Sequence, residues 1–334
     1  MVNYYVQRIG QAILSILTVI SLTFFVTKWM PGGPMDYFRA TMVKRNPSAS
    51  QAEINSLVAA YTSVNPSEPL YIQYLNYVAS LLQGDFGQSI WYQKPVAEIL
   101  GQAMPWTLFL MTLATLTTFI VGVSIGAFMA YKEGSNFDFA LTGVGMFLYS
   151  MPYYIAALIL VFFLGFRLKI LPTSGAYNND IPAGFNPEFV KSVLLHAFLP
   201  YISLLLTQFG GWALSMRGNA ISVLGEDYLR VARLRGLSDS RIALSYVGKN
   251  AILPLYTGLM IAIGFMFGGS VVLEQIFSYP GLGFFLLQAM KARDDPLMMG
   301  GFIVITVAVI VSILIADLTY GKIDPRARSG GGEA

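Results

Sequence analysis

Ionisable side chains are scarce in this sequence. Their densest cluster is GEDYLRVARLRGLSDSRIALSYVGKNAILP, residues 225–254, with four arginines and one lysine. Glu226, Arg230 and Arg233 stand at i, i+4 and i+7, which places them on one helical face, while Leu229, Val231 and Ala232 lie away from it. Glu226 ahead of Arg230 is the favourable order for an i,i+4 ion pair, worth roughly 0.3 kcal/mol. Gly236 permits a helix stop, and Ser238 or Asp239 can cap a second short helix through Ile242, Ala243 and Val247. Two short helices joined at a glycine form a charged knob. Its chemistry is contact with another surface, although any loop on the inner side of a membrane is expected to be basic.

Bond-making chemistry finds little support elsewhere. The chain has no cysteine, which excludes disulfides, thiolate metal sites and cysteine nucleophiles. A single histidine, His196, cannot build a multi-histidine metal site, and it is assigned no role. No Gly-x4-Gly-Lys-Ser/Thr occurs, so the chain carries no Walker-type nucleotide site, and any ATP that drives it acts through another polypeptide. Paired carboxylates and histidine clusters are missing from the apolar segments, against an intramembrane enzyme. No catalytic or metal-ligating residues are assigned.

The elements that must hold the charged stretch are apolar. The 334 residues are 55% hydrophobic and 12% charged, against about 25% charged in soluble domains. Net charge is +3, too balanced to suggest a nucleic-acid partner. A bilayer core needs roughly 20 apolar residues in a helix. Six segments free of Asp, Glu, Lys and Arg meet that need: Ile9–Thr27, Pro105–Tyr131, Phe139–Phe166, Ser192–Met216, Asn250–Leu273 and Leu297–Ala316. Backbone groups in lipid must bond within their own segment, so each is read as a helix. Arg8 precedes the first run and no cleavage pattern follows it before Lys28, so it is read as a retained helix. With the N-terminus inside, the inner segments hold eleven basic residues and the outer segments, about twice as long, hold nine. The expectation is an all-α integral membrane protein with six transmembrane helices and both termini cytoplasmic. Its parts would be the first helix (1–30), an extracytoplasmic region (31–104), a five-helix core (105–320) with a cytoplasmic loop at 217–249, and a cytoplasmic tail (321–334).

On the outer side, MPGGPMD turns out of the first helix. Leu70, Tyr74, Leu75, Val78, Leu81 and Leu82 then recur at helical spacing, as in a helix on the membrane surface or packed on the bundle. Residues 167–191, rich in Gly, Pro and Asn, read as irregular. Trp29, Trp91 and Trp106 suit an outer aromatic belt. GVSIG (122–126) and GFMFG (264–268) are small-xxx-small motifs, read as intrachain helix packing ahead of a subunit interface. Glu274 is either an interfacial carboxylate in water or a functional one. Asp317 is expected to pair with another side chain, Arg326 being the candidate. A stand-alone secondary transporter or channel would call for intramembrane ionisable residues, inverted repeats or broken helices, and none is evident in the sequence.

DYLRVARLRGLSDSRIALSYVGKNAILP resembles the cytoplasmic coupling loop of binding-protein-dependent ABC importer permeases, in their dipeptide, oligopeptide and nickel branch. YYVQRIGQAILSILTVISLTFFVTKWMPGGPMD, PLYIQYLNYVASLLQGDFGQSI, GGSVVLEQIFSYPGLGFFLLQAMKARDDPLMMGG and ADLTYGKIDPRAR resemble other blocks of that family, in order, over nearly the whole chain. The broad superfamily loop begins Glu-Ala-Ala, then has three residues, then Gly. Here only Ala232 and Gly236 match, and Tyr228, Ala232, Arg233 and Gly236 form the branch's own variant. The resemblance implies an ATPase-coupling site at Glu226, Asp227, Tyr228, Arg230, Ala232, Arg233 and Gly236. It also implies an outer gate or receptor contact at Glu274, Tyr279, Pro280, Gly281 and Gly283. Implied partners are a second homologous permease, one or two P-loop ATPase subunits that bind ATP and Mg, an extracytoplasmic solute-binding protein and membrane lipid. The implied place is a prokaryotic plasma membrane, crossed several times. The implied cargo is short peptides, with oligosaccharides or nickel chelates as the alternatives.

Overall fold

A computed structural model describes residues 2–29, 34–45, 47–62, 67–238 and 241–323. Helices dominate, as the need to close every backbone hydrogen bond inside a lipid-facing segment requires. Four are long and apolar enough to cross a membrane: α1 (Val2–Trp29), α5 (Val96–Tyr131), α8 (Pro187–Leu224) and the last, Asp295–Ile323. Two bent helix pairs raise the number of spans to six. The first pair joins α6 (Asn136–Ser150) to α7 (Tyr153–Leu160), which continues as a π-helix, Val161–Arg167. The second joins Ser245–Ala251 to Leu253–Gly268 with a 40° bend.

The third apolar segment, expected as one helix, is broken by 93° between Ser150 and Tyr153. Pro152 explains the break: it has no N–H to give and its ring disfavours helical backbone in Met151 before it. Met151 is extended, with ψ of 125°. Proline alone does not decide the matter. Pro105 and Pro200 lie inside α5 and α8, and both helices continue through them.

The chain divides into two compact units. One holds Met1–Leu108, Phe267–Val271 and Pro280–Ala334. In it α1 packs with the last helix through Ile20, Phe24 and Ile303, and Arg8 pairs with Asp317 at 3.2 Å. Asp317 therefore has its partner at the far end of the sequence, and Arg326 lies outside the described residues. Helices α2 (Pro34–Arg45) and α3 (Gln51–Thr62) bury Met42, Ile54 and Val58 together. Helix α3 opens with a capping box: Ser50 N–H donates to Glu53 Oε2 at 2.6 Å, and Glu53 N–H donates back to Ser50 Oγ at 3.3 Å. The bonds that the Ser50 backbone and side chain make to the Glu53 carboxyl hold it below its ordinary pKa.

The expected outer helix forms as α4 (Leu70–Leu82) and docks on α1. Tyr74 shares a hydrogen bond with Ser21 at 2.7 Å, and Lys28 donates to Gln73 at 2.6 Å. The docked face carries Gln73, Tyr77, Tyr74, Val78 and Leu81, while Leu70, Leu75 and Leu82 point outward. The buried face is thus turned from the one the apolar residues alone mark, because polar contacts to α1 set the rotation. Trp29 and Trp91 are exposed, as an interfacial belt requires.

The other unit holds Phe109–Met266 and Val272–Tyr279. Its helices α5, α6 and α8 approach at glycines. Gly122 and Gly126 face Trp212, Ala213 and Met216, so GVSIG is an intrachain packing motif. Gly210 lies against Gly145, and a Cβ added there would run into the Gly145 carbonyl oxygen. Residues 168–186 are irregular, as expected, and Asn186 caps α8 by accepting from Phe189 N–H at 2.8 Å. At 38 residues α8 is about 57 Å long, longer than a bilayer core is thick.

Gly210→Val forces α6 and α8 apart, whereas Gly143→Val adds a side chain where nothing lies within 4 Å. Thermal unfolding in detergent is expected to show the first several degrees less stable than the second, a core overpacking cost of about 1–3 kcal/mol.

Candidate coupling site

The charged stretch begins where α8 ends, at Leu224 with Gly225 as its cap. One short helix follows, α9 (Asp227–Leu234). Leu229 and Ala232 are buried, whereas Tyr228, Arg230, Val231 and Leu234 are exposed. Helix α9 therefore turns one apolar stripe, Leu229 and Ala232, inward, and leaves Val231 and Leu234 outward beside Tyr228 and Arg230, so Val231 does not join the inward stripe as its spacing suggested. Glu226 lies just before the helix, where its carbonyl accepts from Leu229 N–H at 3.1 Å. For that reason the expected i,i+4 pair with Arg230 does not form: both side chains are exposed, and only one of them is on the helix. The Arg233 side chain lies outside the described set.

Gly236 ends α9. Its φ of +71° is left-handed, a conformation that costs glycine nothing. Leu237 N–H reaches back to the Ala232 carbonyl at 3.3 Å, the 6→1 bond of a Schellman stop. Ser238 accepts Ile242 N–H through its carbonyl at 3.0 Å, and Asp239 lies outside the described residues. The second short helix forms with different winding. Ile242–Gly248 is a π-helix, so its turns are wider than the α-helical spacing of Ile242, Ala243 and Val247 implies.

Both halves of the stretch rest on one apolar seat. Leu229, Ala232, Ile242 and Val247 pack with Ala130 at the end of α5, Met216 and Ala220 in α8, and Ala251 and Leu255. Leu255 belongs to α10 (Leu253–Phe265). Two side-chain bonds fasten the seat. Asn250 Nδ2 donates to the Tyr228 hydroxyl at 3.2 Å, and Asn219 Nδ2 donates to the Ala251 carbonyl at 3.1 Å. Beneath the seat, Arg217 of α8 grips Asp138 of α6 with both edges of its guanidinium, at 2.6 and 2.7 Å. Asparagines 219 and 250, and the Asp138–Arg217 pair, were not singled out by residue type. The signal available was a lone charge at one end of each of two apolar segments.

The residues assigned by resemblance to an outer gate or receptor contact fall in two units. Glu274, in α11 (Val271–Ile276), and Tyr279 are both fully buried in one unit, and Tyr279 N–H donates to the Glu274 carbonyl at 2.8 Å. Glu274 is therefore not a water-exposed interfacial carboxylate. Burial, with Glu274 beside it, pushes the Tyr279 hydroxyl above the ordinary tyrosine range. Pro280, Gly281 and Gly283 belong to the other unit. Gly281 is the cap of α12 (Leu282–Ala292), and Leu282 N–H donates to Thr107 Oγ1 at 2.8 Å. The same unit holds Asp294, an unforeseen buried acid. It accepts from the Ser89 hydroxyl, from Trp91 N–H at 3.0 Å and from Leu297 N–H at 3.3 Å, capping the last helix, α13 (Asp295–Ile323).

The family model described as "Binding-protein-dependent transport system inner membrane component" matches residues 122–329, which include α9, its seat and α13. The chain belongs to this family. It is accordingly a multi-pass inner-membrane protein, and the family's systems depend on a binding protein. Among its relatives, the oligopeptide transport system permease protein AppB of Bacillus subtilis is 32% identical over 98% of this chain and 99% of its own. The dipeptide transport system permease protein DppB of Escherichia coli K12 is 29% identical over 98% of this chain and 99% of its own. The di/tripeptide transport system permease protein DppB of Pseudomonas aeruginosa is 31% identical over the same shares.

In a permease, the seat must hold α9 still against whatever presses on it. Leu229→Ala removes the largest buried side chain of α9 and is expected to cost about 2–5 kcal/mol locally. Hydrogen exchange of residues 227–234 should speed up markedly in this variant, while that of residues 187–212 stays as in the parent chain.

Proposed function

We propose that this chain is one permease subunit of an ATP-driven importer of short peptides. The observation that carries the reading is the full-length similarity to three permeases named for oligopeptides, dipeptides and di/tripeptides. The chain forms half of the translocation path, and a second homologous permease forms the other half. Residues 217–249 face the cytoplasm, where a P-loop ATPase subunit grips the exposed face of α9 at Glu226, Asp227, Tyr228 and Arg230, with Arg233 assigned to the same contact by resemblance. ATP and Mg bind to that partner, because this sequence carries no Walker-type loop of its own. An extracytoplasmic binding protein delivers the peptide at the outer side, where Glu274, Tyr279, Pro280, Gly281 and Gly283 are the residues assigned to gating or receptor contact.

The mechanism follows from the seat. Closure of the ATPase pair on nucleotide displaces α9. Leu229 and Ala232 carry that displacement into the inner ends of α5 and α8 and the start of α10, because all of them share one apolar cluster. A packed cluster transmits displacement with little compliance. The exposed arginines supply charge-assisted hydrogen bonds to the ATPase surface, which fix where α9 sits without adding to the chain's own fold.

Charge reversal tests the docking face. In the complete complex, Arg230→Glu and Arg233→Glu are each expected to lower peptide-stimulated ATPase about 10-fold, the size of an ordinary allosteric coupling term. The permease should still insert and fold. Stimulation equal to the parent complex in both variants would refute the docking role of this face.

A further inference from the structure

The two charges beneath the seat do more than the fold requires. Asp138 is 3% exposed, and its carboxylate is held from several sides. Arg217 binds both oxygens at 2.6 and 2.7 Å, Gly134 N–H donates at 3.1 Å, and Thr142 Oγ1 approaches at 3.5 Å. The Asp138 N–H is itself bonded to Ser135 Oγ, the cap of α6. The carboxylate is buried and the guanidinium partly so; desolvation offsets much of such a pair's attraction, and an apolar pair would join two helices as well. What a forked guanidinium–carboxylate pair adds is a fixed orientation.

Its place along the helices gives that orientation a use. Arg217 adjoins Met216 of the seat and lies in the last two turns of α8 before the coupling stretch. Seven residues further along each helix, about 10 Å away, the backbones touch where Gly145 meets Gly210, and the Tyr149 ring lies on Gly211. Helices α6 and α8 are thus joined at two heights, which prevents one from pivoting on the other. Just past the upper contact the third span breaks by 93°.

We propose that Asp138 and Arg217 form a positioning clamp that makes α6 and α8 one lever, so that displacement of α9 reaches the break at Ser150–Pro152. The clamp rests on the coupling reading given above. Without it, α8 moves alone and ATP hydrolysis no longer drives the third span. The pair touches neither substrate nor nucleotide.

The test uses the complete complex in lipid nanodiscs, with peptides moved per ATP hydrolysed as the readout beside basal ATPase. Asp138→Asn removes the charge, and Arg217→Lys keeps a charge but loses the fork. Each should lower the ratio of stimulated to basal hydrolysis about 10-fold with basal hydrolysis unchanged. The parent chain has no cysteine, so Asp138→Cys with Arg217→Cys can be joined by a short bifunctional thiol reagent. Cross-linking should restore coupling to that double variant, which a purely electrostatic role would not allow. Parent-like ratios in both single variants would overturn the clamp, and so would a cross-linked, folded complex that hydrolyses ATP without moving peptide. If the single variants fail to assemble, the cross-linked variant decides alone. Arg230→Glu in the same complex separates the two ideas. If it uncouples while the clamp variants do not, only the clamp fails; if no variant changes the ratio, the coupling reading itself fails.

Discussion

The burial of Leu229 and Ala232 is the contact on which the rest of this molecule's mechanics depends. A short helix of such polar composition has no reason to stay folded in water, where helices under about 12 residues are marginal. It holds because one stripe is buried among Met216, Ala220, Ile242, Val247 and Ala251. That same burial turns Tyr228, Arg230 and Arg235 outward. Stability and presentation are thus two sides of one amphipathic pattern, and a partner that pushes on the polar face pushes on the membrane helices behind it.

The membrane helices answer with close approach and fixed angles. Between apolar segments already in lipid, burial of apolar surface supplies little attraction, so contact must come from tight packing and from polar bonds. The glycines at 122, 126, 145 and 210 supply the first. Asp138 with Arg217 and Asn219 with the Ala251 carbonyl supply the second. The same logic holds in the other unit, where α4 is turned by Tyr74 and Gln73 and the last helix is capped by Asp294.

Much of this was legible in the sequence, and the rest was hidden for identifiable reasons. Six apolar runs and a basic interruption are composition, and composition is what a bilayer selects. The stop at Gly236 and the inward turn of Leu229 and Ala232 follow from residue type and helical spacing. The break at Pro152 did not follow, since Pro105 and Pro200 sit in equally apolar runs and leave their helices intact. The π-helical winding after Arg241 leaves no mark in residue type. Pairings were hidden by distance: Arg8 finds Asp317 across most of the chain, and Arg217 finds Asp138 at a separation of 79 residues. Ending an apolar run left Glu274 open between a water-exposed and a functional carboxylate, and the packing around α11 shows it fully enclosed.

If this chain couples the two sides of the membrane, peptide arriving outside makes an ATPase work inside. The most direct measurement is ATPase activity of the complete complex in lipid nanodiscs, its binding protein offered first a pool of short peptides and then a pool of oligosaccharides. Peptides are expected to stimulate hydrolysis, and oligosaccharides are expected not to. Stimulation by oligosaccharides alone, or by neither pool with every subunit assembled, would contradict that coupling.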